Sequence, residues 1–428
     1  MSTTDIEMSS SQDEKLPGSS TPQDNVLAEY GPVPDGGVRA WMVALGAACI
    51  SFSCLGFSNS FGVFAQYYQT HQLIGEPANK IAWIGSISLF MQFAGGVIAG
   101  PLFDRYGAWV IRPGAIVYVL AMMLTSLCTQ YWHFMLCQGV LMGLAMSTLQ
   151  IPSFAAVTQY FDKKRGAALG LVIAGSSVGG VVFPIALSKM LNASSIGFGW
   201  SVRIMGFVIT PLMLFACFAV RPRLPPRKTD FFLPSAFRNK RYLFLIAALF
   251  FSFFGFATPL FFLPKYAVSR GMDTTLASYL LAIVNGASTF GRIIPGILAD
   301  KYGKINTFAL GSFFTGIIIL TTNSVTNTAG LIAYSIAFGF ASGTIISGGS
   351  AAFSICTDDA RNMGTYLGMG FAIGSIAALI GPPINGALVD RYGGFEQLSI
   401  LSGVMCLVAT VAGYTAKAFT KEGLWGKV

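Results

Sequence analysis

The sequence predicts an all-α polytopic membrane protein whose twelve spanning helices form two six-helix, pseudo-symmetric halves. Three observations carry that prediction. The first is composition: of 428 residues, 54% are hydrophobic and 11% are charged, with a mean hydropathy of +0.63, against roughly 25% charged in a soluble domain. The second is spacing: a spanning helix needs about 20 apolar residues, and twelve such runs can be placed, six on each side of one basic loop. The third is repetition. Gly100-Pro101-Leu102-Phe103-Asp104-Arg105-Tyr106-Gly107 closes the second run, and Gly296-Ile297-Leu298-Ala299-Asp300-Lys301-Tyr302-Gly303 closes the eighth, the second of the later six. Parallel six-helix repeats of this kind are a transporter architecture, with the substrate site between the halves near the midplane.

Residues 1–38 come first as an acidic tail. Asp5, Glu7, Asp13, Glu14, Asp24, Glu29 and Asp35 stand against Lys15 alone. The tail has neither a basic n-region nor an apolar h-region, so it is expected to be disordered and the first spanning helix to act as an uncleaved insertion signal. The N-terminal half, 39–220, holds runs at about Trp41–Phe64, Ile81–Phe103, Pro113–Thr129, His133–Val157, Ala167–Leu187 and Val202–Val220. Within it, Gln138 and Gln150 in the fourth run either face a cavity or bond a neighbouring helix. The fifth run spaces Gly166, Gly170, Gly175 and Gly179 for close backbone approach. The linker, 221–241, reads RPRLPPRKTDFFLPSAFRNKR, with seven Lys or Arg and prolines that stop both neighbouring helices.

The C-terminal half, 242–418, holds runs at about Tyr242–Ala267, Leu276–Ala299, Thr307–Asn323, Gly330–Ile355, Met363–Val389 and Ile400–Ala418, followed by a short tail at 419–428. Phe338, Phe340 and Phe353 in the tenth run line an aromatic site or pack in the core and lipid. A third copy of the repeated motif, Gly386 to Gly393, ends the eleventh run on the other face, as an inverted repeat within each half would allow. Connections on the linker's side carry fifteen Lys or Arg and those on the other side five. The positive-inside bias places both termini in the cytoplasm, with a plasma-membrane location expected. The sequon Asn192-Ala193-Ser194 then falls outside.

The inventory excludes several functions. The cysteines lack CxxC or CxH spacing, so neither a disulfide framework nor a metal site is indicated. No HExxH, paired intramembrane carboxylates, Ser/His/Asp set or phosphate loop is present, so neither an enzyme nor an ATP-driven pump is expected, and no cofactor. His71 is expected in an outer loop and His133 at a helix start, neither on a proton path. The net charge of +9 lies in loops and reads as topology rather than nucleic-acid affinity. The partners expected are the lipid bilayer and a small organic substrate, with no obligate protein partner.

The residue to explain is Arg292. A guanidinium near the bilayer centre costs about 2.5–3.5 kcal/mol, so it normally faces a cavity, an anion or a partner carboxylate. A purely structural tie to another helix is the alternative.

Gly100 to Gly107 matches the loop hallmark of the major facilitator superfamily, and the chain resembles that family over nearly all its membrane portion. Four further stretches resemble its monocarboxylate porters, in their fungal branch. They are Pro34-Asp35-Gly36-Gly37 with Trp41; Tyr160-Phe161-Asp162-Lys163-Lys164-Arg165-Gly166 with Ala174-Gly175; Gly291-Arg292; and Gly381-Pro382-Pro383 through Tyr392-Gly393. The resemblance implies alternating access, with loop charges Asp104, Arg105, Asp300, Lys301, Lys163, Lys164 and Arg165 making interhelix contacts that gate the cytoplasmic face. In the proton-linked porters a lysine in the first helix and an aspartate four residues before the arginine serve coupling. Here those positions are Asn59 and Ser288, which do not titrate near neutral pH. Arg292, Asn59, Asn285 and Ser288 therefore suit a larger organic molecule with carbonyl, enol or carboxylate groups. Efflux of a fungal secondary metabolite is the first expectation. Uptake of a monocarboxylate or a riboflavin-like vitamin, and a non-transporting nutrient sensor, are the alternatives.

Overall fold

A computed structural model describes residues 31–192, 195–226, 231–357, 359–420, 422–424 and 426. The described residues are almost entirely helical, with no strand among them. Ten stretches are long and apolar enough to cross a membrane, and Lys304–Leu320 is apolar but shorter. One of the ten, Lys80–Thr125, has 46 residues, far more than the roughly 20 that span a bilayer. It contains two helices separated by a 3-10 turn at Gly107–Val110, where Gly107 has φ +65°. The two run in opposite directions. Gly95 and Gly96 face Ser147 and Ile151, and Gly143 faces Ser88, so the first is parallel to the fourth crossing. The second meets that crossing antiparallel, with Gly114 on Thr148 and its far end on the start of the same helix.

Among the described residues, twelve crossings result. We label them α1 (Val38–Ser58, continued by Phe61–Tyr67 and the π-helical Tyr68–Gln72), α2 (Ala78–Ala94 and Gly96–Tyr106), α3 (Ile111–Thr125) and α4 (Tyr131–Phe134, Met135–Leu141 and Met142–Thr158). They continue with α5 (Arg165–Asn192), α6 (Gly197–Ala219), α7 (Lys240–Ser269) and α8 (Thr274–Tyr302). The last four are α9 (Lys304–Leu320), α10 (Thr328–Phe353), α11 (Met363–Tyr392) and α12 (Glu396–Ala418). All twelve runs read from the sequence are helices.

Packing repeats between the halves. α1 lies on α4, α5 and α6 while α7 lies on α10, α11 and α12; α4 bridges α2 and α3 as α10 bridges α8 and α9. The halves meet through α5 against α8 and α10, and through α11 against α2 and α4. Both seams are lined by glycine because the backbones nearly touch. Gly96 and Gly100 of α2 oppose Gly368 and Gly364 of α11, while Gly166 and Gly170 of α5 oppose Gly296 and the Arg292 carbonyl of α8. Small-residue seams of this kind permit close helix approach in lipid. A Cβ at Gly100 would overlap the Gly364 carbonyl, which cannot swing away as a side chain does. Gly100→Val is therefore expected to part α2 from α11 and expose Cys356, which is 3% exposed on the same face. Labelling of Cys356 by a water-soluble maleimide at least tenfold faster than in the parent would register it; no change would show that the seam tolerates a larger residue.

Arg105, Lys163, Lys164, the linker and Lys301 share one face, the basic face. Of the acidic tail expected to be disordered, residues 1–30 lie outside the described residues, and the described end, 31–38, makes contacts. Asp35 Oδ1 accepts from the Asp162 and Lys164 amides at 2.6 and 3.3 Å, and the Asp35 amide donates to the Tyr160 carbonyl at 3.1 Å. Arg223 of the linker donates to the Gly31 and Pro32 carbonyls at 2.7 and 3.0 Å. The segment is thus clasped between the turn before α5 and the linker, and Trp41 meets Phe161 edge-on at 5.1 Å. Linker residues 227–230 and the sequon residues 193–194 lie outside the described residues, as does the Asn192 side chain.

Candidate functional site

α8 positions the central group. Asn285 and Arg292 are seven residues apart, two helical turns, and so share one face, which meets the N-terminal half. Asn59 Nδ2 donates to Asn285 Oδ1 at 3.2 Å across the two halves. Asn285 Nδ2 in turn donates to the Leu281 carbonyl at 2.9 Å, which holds its oxygen toward Asn59. α1 breaks at this point: its first segment ends at Ser58 and the next begins at Phe61. Interrupted membrane helices are tolerated where they line a cavity or find partners in protein.

Arg292 is 8% exposed. Its Nη1 donates to the Ile173 carbonyl at 2.8 Å and to Ser176 Oγ, both on α5 of the other half. Its Nε has no hydrogen-bond partner. Among the described residues no Asp or Glu forms an ion pair with it. A buried guanidinium satisfied along one edge and unpartnered at Nε is suited to an incoming anion, since arginine forks bind carboxylates and enolates bidentately.

Ser288 is buried but turns to α10, where a Cβ at Gly343 would come 3.0 Å from its Oγ. It therefore sits beside the Asn59–Asn285–Arg292 line without a hydrogen bond into it. Gly291 packs on the Phe340 backbone, whereas Gly286 has open space around it. Gln138 ties α4 to α1 by accepting from Tyr68 Oη at 2.7 Å, and Gln150 donates to Ser51 Oγ at 3.0 Å. Of the three phenylalanines of α10, Phe338 stacks on Tyr334, Phe353 packs against Tyr242 and Phe371, and Phe340 is 41% exposed.

The ties at the basic face differ from the charge contacts expected there. Asp104, at the end of α2, accepts from the Gly364 and Thr365 amides at 2.9 and 2.7 Å and from Thr365 Oγ1 at 2.6 Å, at the start of α11. Asp300, at the end of α8, accepts from the Gly166 and Ala167 amides at 2.7 and 2.8 Å, at the start of α5. Each aspartate of one half thus caps a helix of the other. A helix N-terminus offers unpaired N–H groups and a partial positive charge, which a carboxylate satisfies together. Arg165 adds a third tie, donating from Nη1 to the Ser354 carbonyl and Oγ at 3.0 and 3.3 Å.

The remaining predicted gate charges lie elsewhere. Arg105 and Lys301 are exposed and lie over the neighbouring Tyr106 and Tyr302 rings. Lys163 and Lys164 are exposed, and Lys164 engages the clasp through its amide. The third motif copy makes no equivalent cap, since Asp390 is exposed. Sequence reasoning missed the capped partners Gly364, Thr365, Gly166 and Ala167, and also Ser176. The position of small residues just after the starts of α5 and α11 hinted at the four cap partners, and nothing hinted at Ser176.

The Major Facilitator Superfamily pattern matches residues 43–382 and 296–423. The chain is 48% identical over 397 residues to the aspyridones efflux protein apdF of Emericella nidulans, covering 92% of this chain and 81% of that one. It is 38% identical over 394 residues to the agnestins efflux protein AgnL12 of Paecilomyces divaricatus, covering 90% and 89%. Among solved structures, the transporter FucP in its outward conformation superposes with a TM-score of 0.69 at 17% identity, covering 88% of this chain and 99% of that one.

Proposed function

The chain belongs to the Major Facilitator Superfamily, and from that premise we propose that it exports a small fungal secondary metabolite bearing an acidic or enolic group. The observation that carries the chemistry is Arg292, buried between the halves with no carboxylate paired to it among the described residues. Relatives that are efflux proteins for aspyridones and agnestins support the outward direction. We place the basic face in the cytoplasm, since positive charge is retained there, and the carrier in the plasma membrane with both termini inside. The monocarboxylate-porter kinship is supported by contact between two of the stretches that carry it, Pro34 to Gly37 and Tyr160 to Arg165.

Alternating access then follows from the two seams. In the state described, the Asp104 and Asp300 caps close the basic face, so the site belongs to the opposite side. Arg292 is tied to α5 through Ile173 and Ser176. An anion that draws the guanidinium away weakens the α5–α8 seam, and its release lets the tie re-form. Cargo occupancy and the relation of the halves are coupled by that competition. Asn59 and Asn285 supply uncharged hydrogen bonds one turn or two away. Asn59 and Ser288 do not titrate near neutral pH, so the porters' lysine–aspartate coupling has no counterpart at positions 59 and 288.

Metabolite profiling of cells and medium, with and without this chain in the native host, tests the direction. One compound is expected to accumulate inside and to fall at least tenfold in the medium when the chain is absent. A nutrient left unused in the medium would instead mark an importer and overturn export.

A further inference from the structure

A second group of unsatisfied buried polar atoms lies in the other half of the chain from Arg292. Gln92 of α2 is 0% exposed. Its Oε1 accepts from Ser58 Oγ at 3.1 Å, while its Nε2 has no partner. Ser58 Oγ also lies 3.6 Å from Met146 Sδ of α4. The next residue of α4, Ser147, has a buried and unpartnered Oγ and stands against Gly95, where a Cβ would come 2.9 Å from it. α1 breaks beside this group after Ser58, and α2 breaks at Gly95. A buried amide hydrogen without an acceptor is disfavoured in lipid, where water cannot serve it. Its retention at a double helix break calls for a ligand.

Register relates this position to α8. Aligning Gly100 with Gly296 and Asp104 with Asp300 sets Gly96 on Arg292 and Gln92 on Ser288. Gln92 is thus the counterpart, in the first half, of a helix-8 position one turn from the arginine. It also adjoins the cross-half bond, because Ser58 immediately precedes Asn59.

We propose that Gln92, with Ser147 beside it, is a second contact point for the cargo and takes a neutral hydroxyl, so that the carrier selects hydroxylated organic anions. Turning the amide over would exchange which of its ends lacks a partner, and a hydroxyl, which both donates and accepts, satisfies it either way. The inference rests on the Arg292 reading for the charged end and adds the uncharged end. A cargo bound at both points bridges the two halves, α8 through its anion and α2 through its hydroxyl.

Two probes that differ by one hydroxyl separate the ends: benzoate and 4-(hydroxymethyl)benzoate, with binding to the purified full chain measured by calorimetry. The parent is expected to bind the hydroxylated probe about tenfold more tightly, the ratio for one neutral hydrogen bond made in a dry site. In Gln92→Leu that ratio is expected to fall to about one, while Arg292→Ala loses both probes. A ratio that persists in Gln92→Leu overturns the second contact and leaves Arg292 standing. Binding of neither probe by the parent overturns the anion reading and this inference with it. Independently of any ligand, a cysteine at position 92, in a chain whose own seven cysteines are serine, is expected to react with a water-soluble methanethiosulfonate once Asp104→Asn opens the basic face. No reaction in that background overturns the second contact whatever becomes of Arg292.

Discussion

Arg292→Ala is expected to reduce efflux at least a hundredfold while leaving the amount of folded protein in the membrane unchanged. The two parts have separate causes. A charge-assisted hydrogen bond contributes about 1.5–3 kcal/mol, so losing two of them to an anionic cargo corresponds to roughly two or more decades in affinity. Stability responds differently. Removing a guanidinium from the bilayer centre relieves about 2.5–3.5 kcal/mol, which largely offsets the lost bonds to Ile173 and Ser176. A melting temperature within a few degrees of the parent is the expected result. Were Arg292 one partner of a structural ion pair, its removal would cost about 3–5 kcal/mol instead. A variant that transports normally would remove Arg292 from the site, and one that unfolds would return it to a structural role. Arg292→Lys is expected to transport poorly as well, because an ammonium cannot reproduce the planar fork.

The second large effect is expected at the paired caps. Asp104→Asn keeps the size of the side chain but loses the charge and one of two accepting oxygens, where three donors converge. Asp300→Asn does the same to two donors at α5. If each substitution costs about 1.5–2 kcal/mol, the balance toward an open basic face shifts by about 10- to 30-fold per site. The sites lie on different seams, so the double variant is expected to shift by the product of the two. The readout is maleimide labelling of Cys356 in a chain that keeps it as the sole cysteine. Labelling of the double variant at the parental rate would show that the glycine seams alone hold the face closed.

The fold was legible in the sequence because its cause is local. Each run of about 20 apolar residues can satisfy its backbone in lipid only as a helix, so the twelve crossings followed from chain order alone. The repeated Gly-x-x-x-Asp motif likewise announced the two halves, and its aspartates mark ties between them. What each aspartate binds was not legible. A cap in trans joins residues 260 positions apart, as Asp104 and Gly364 are, and backbone amides carry no side-chain signature. That is why charges next to the motif, Arg105 and Lys301, drew attention that belongs to the starts of α5 and α11.

The same division runs through the site. The sequence alone determined that an arginine stands inside an apolar helix, that positions 59 and 288 hold groups that do not titrate, and that two sixes of helices surround one basic linker. Only the tertiary structure decided that Arg292 reaches α5, that Asn59 meets Asn285, that Ser288 turns to α10, and that Gln92 is left with an unused amide. The reason is physical. Helix formation depends on what each residue does with its own backbone and the lipid, whereas these pairings depend on the crossing of helices whose glycine seams bring distant backbones into contact.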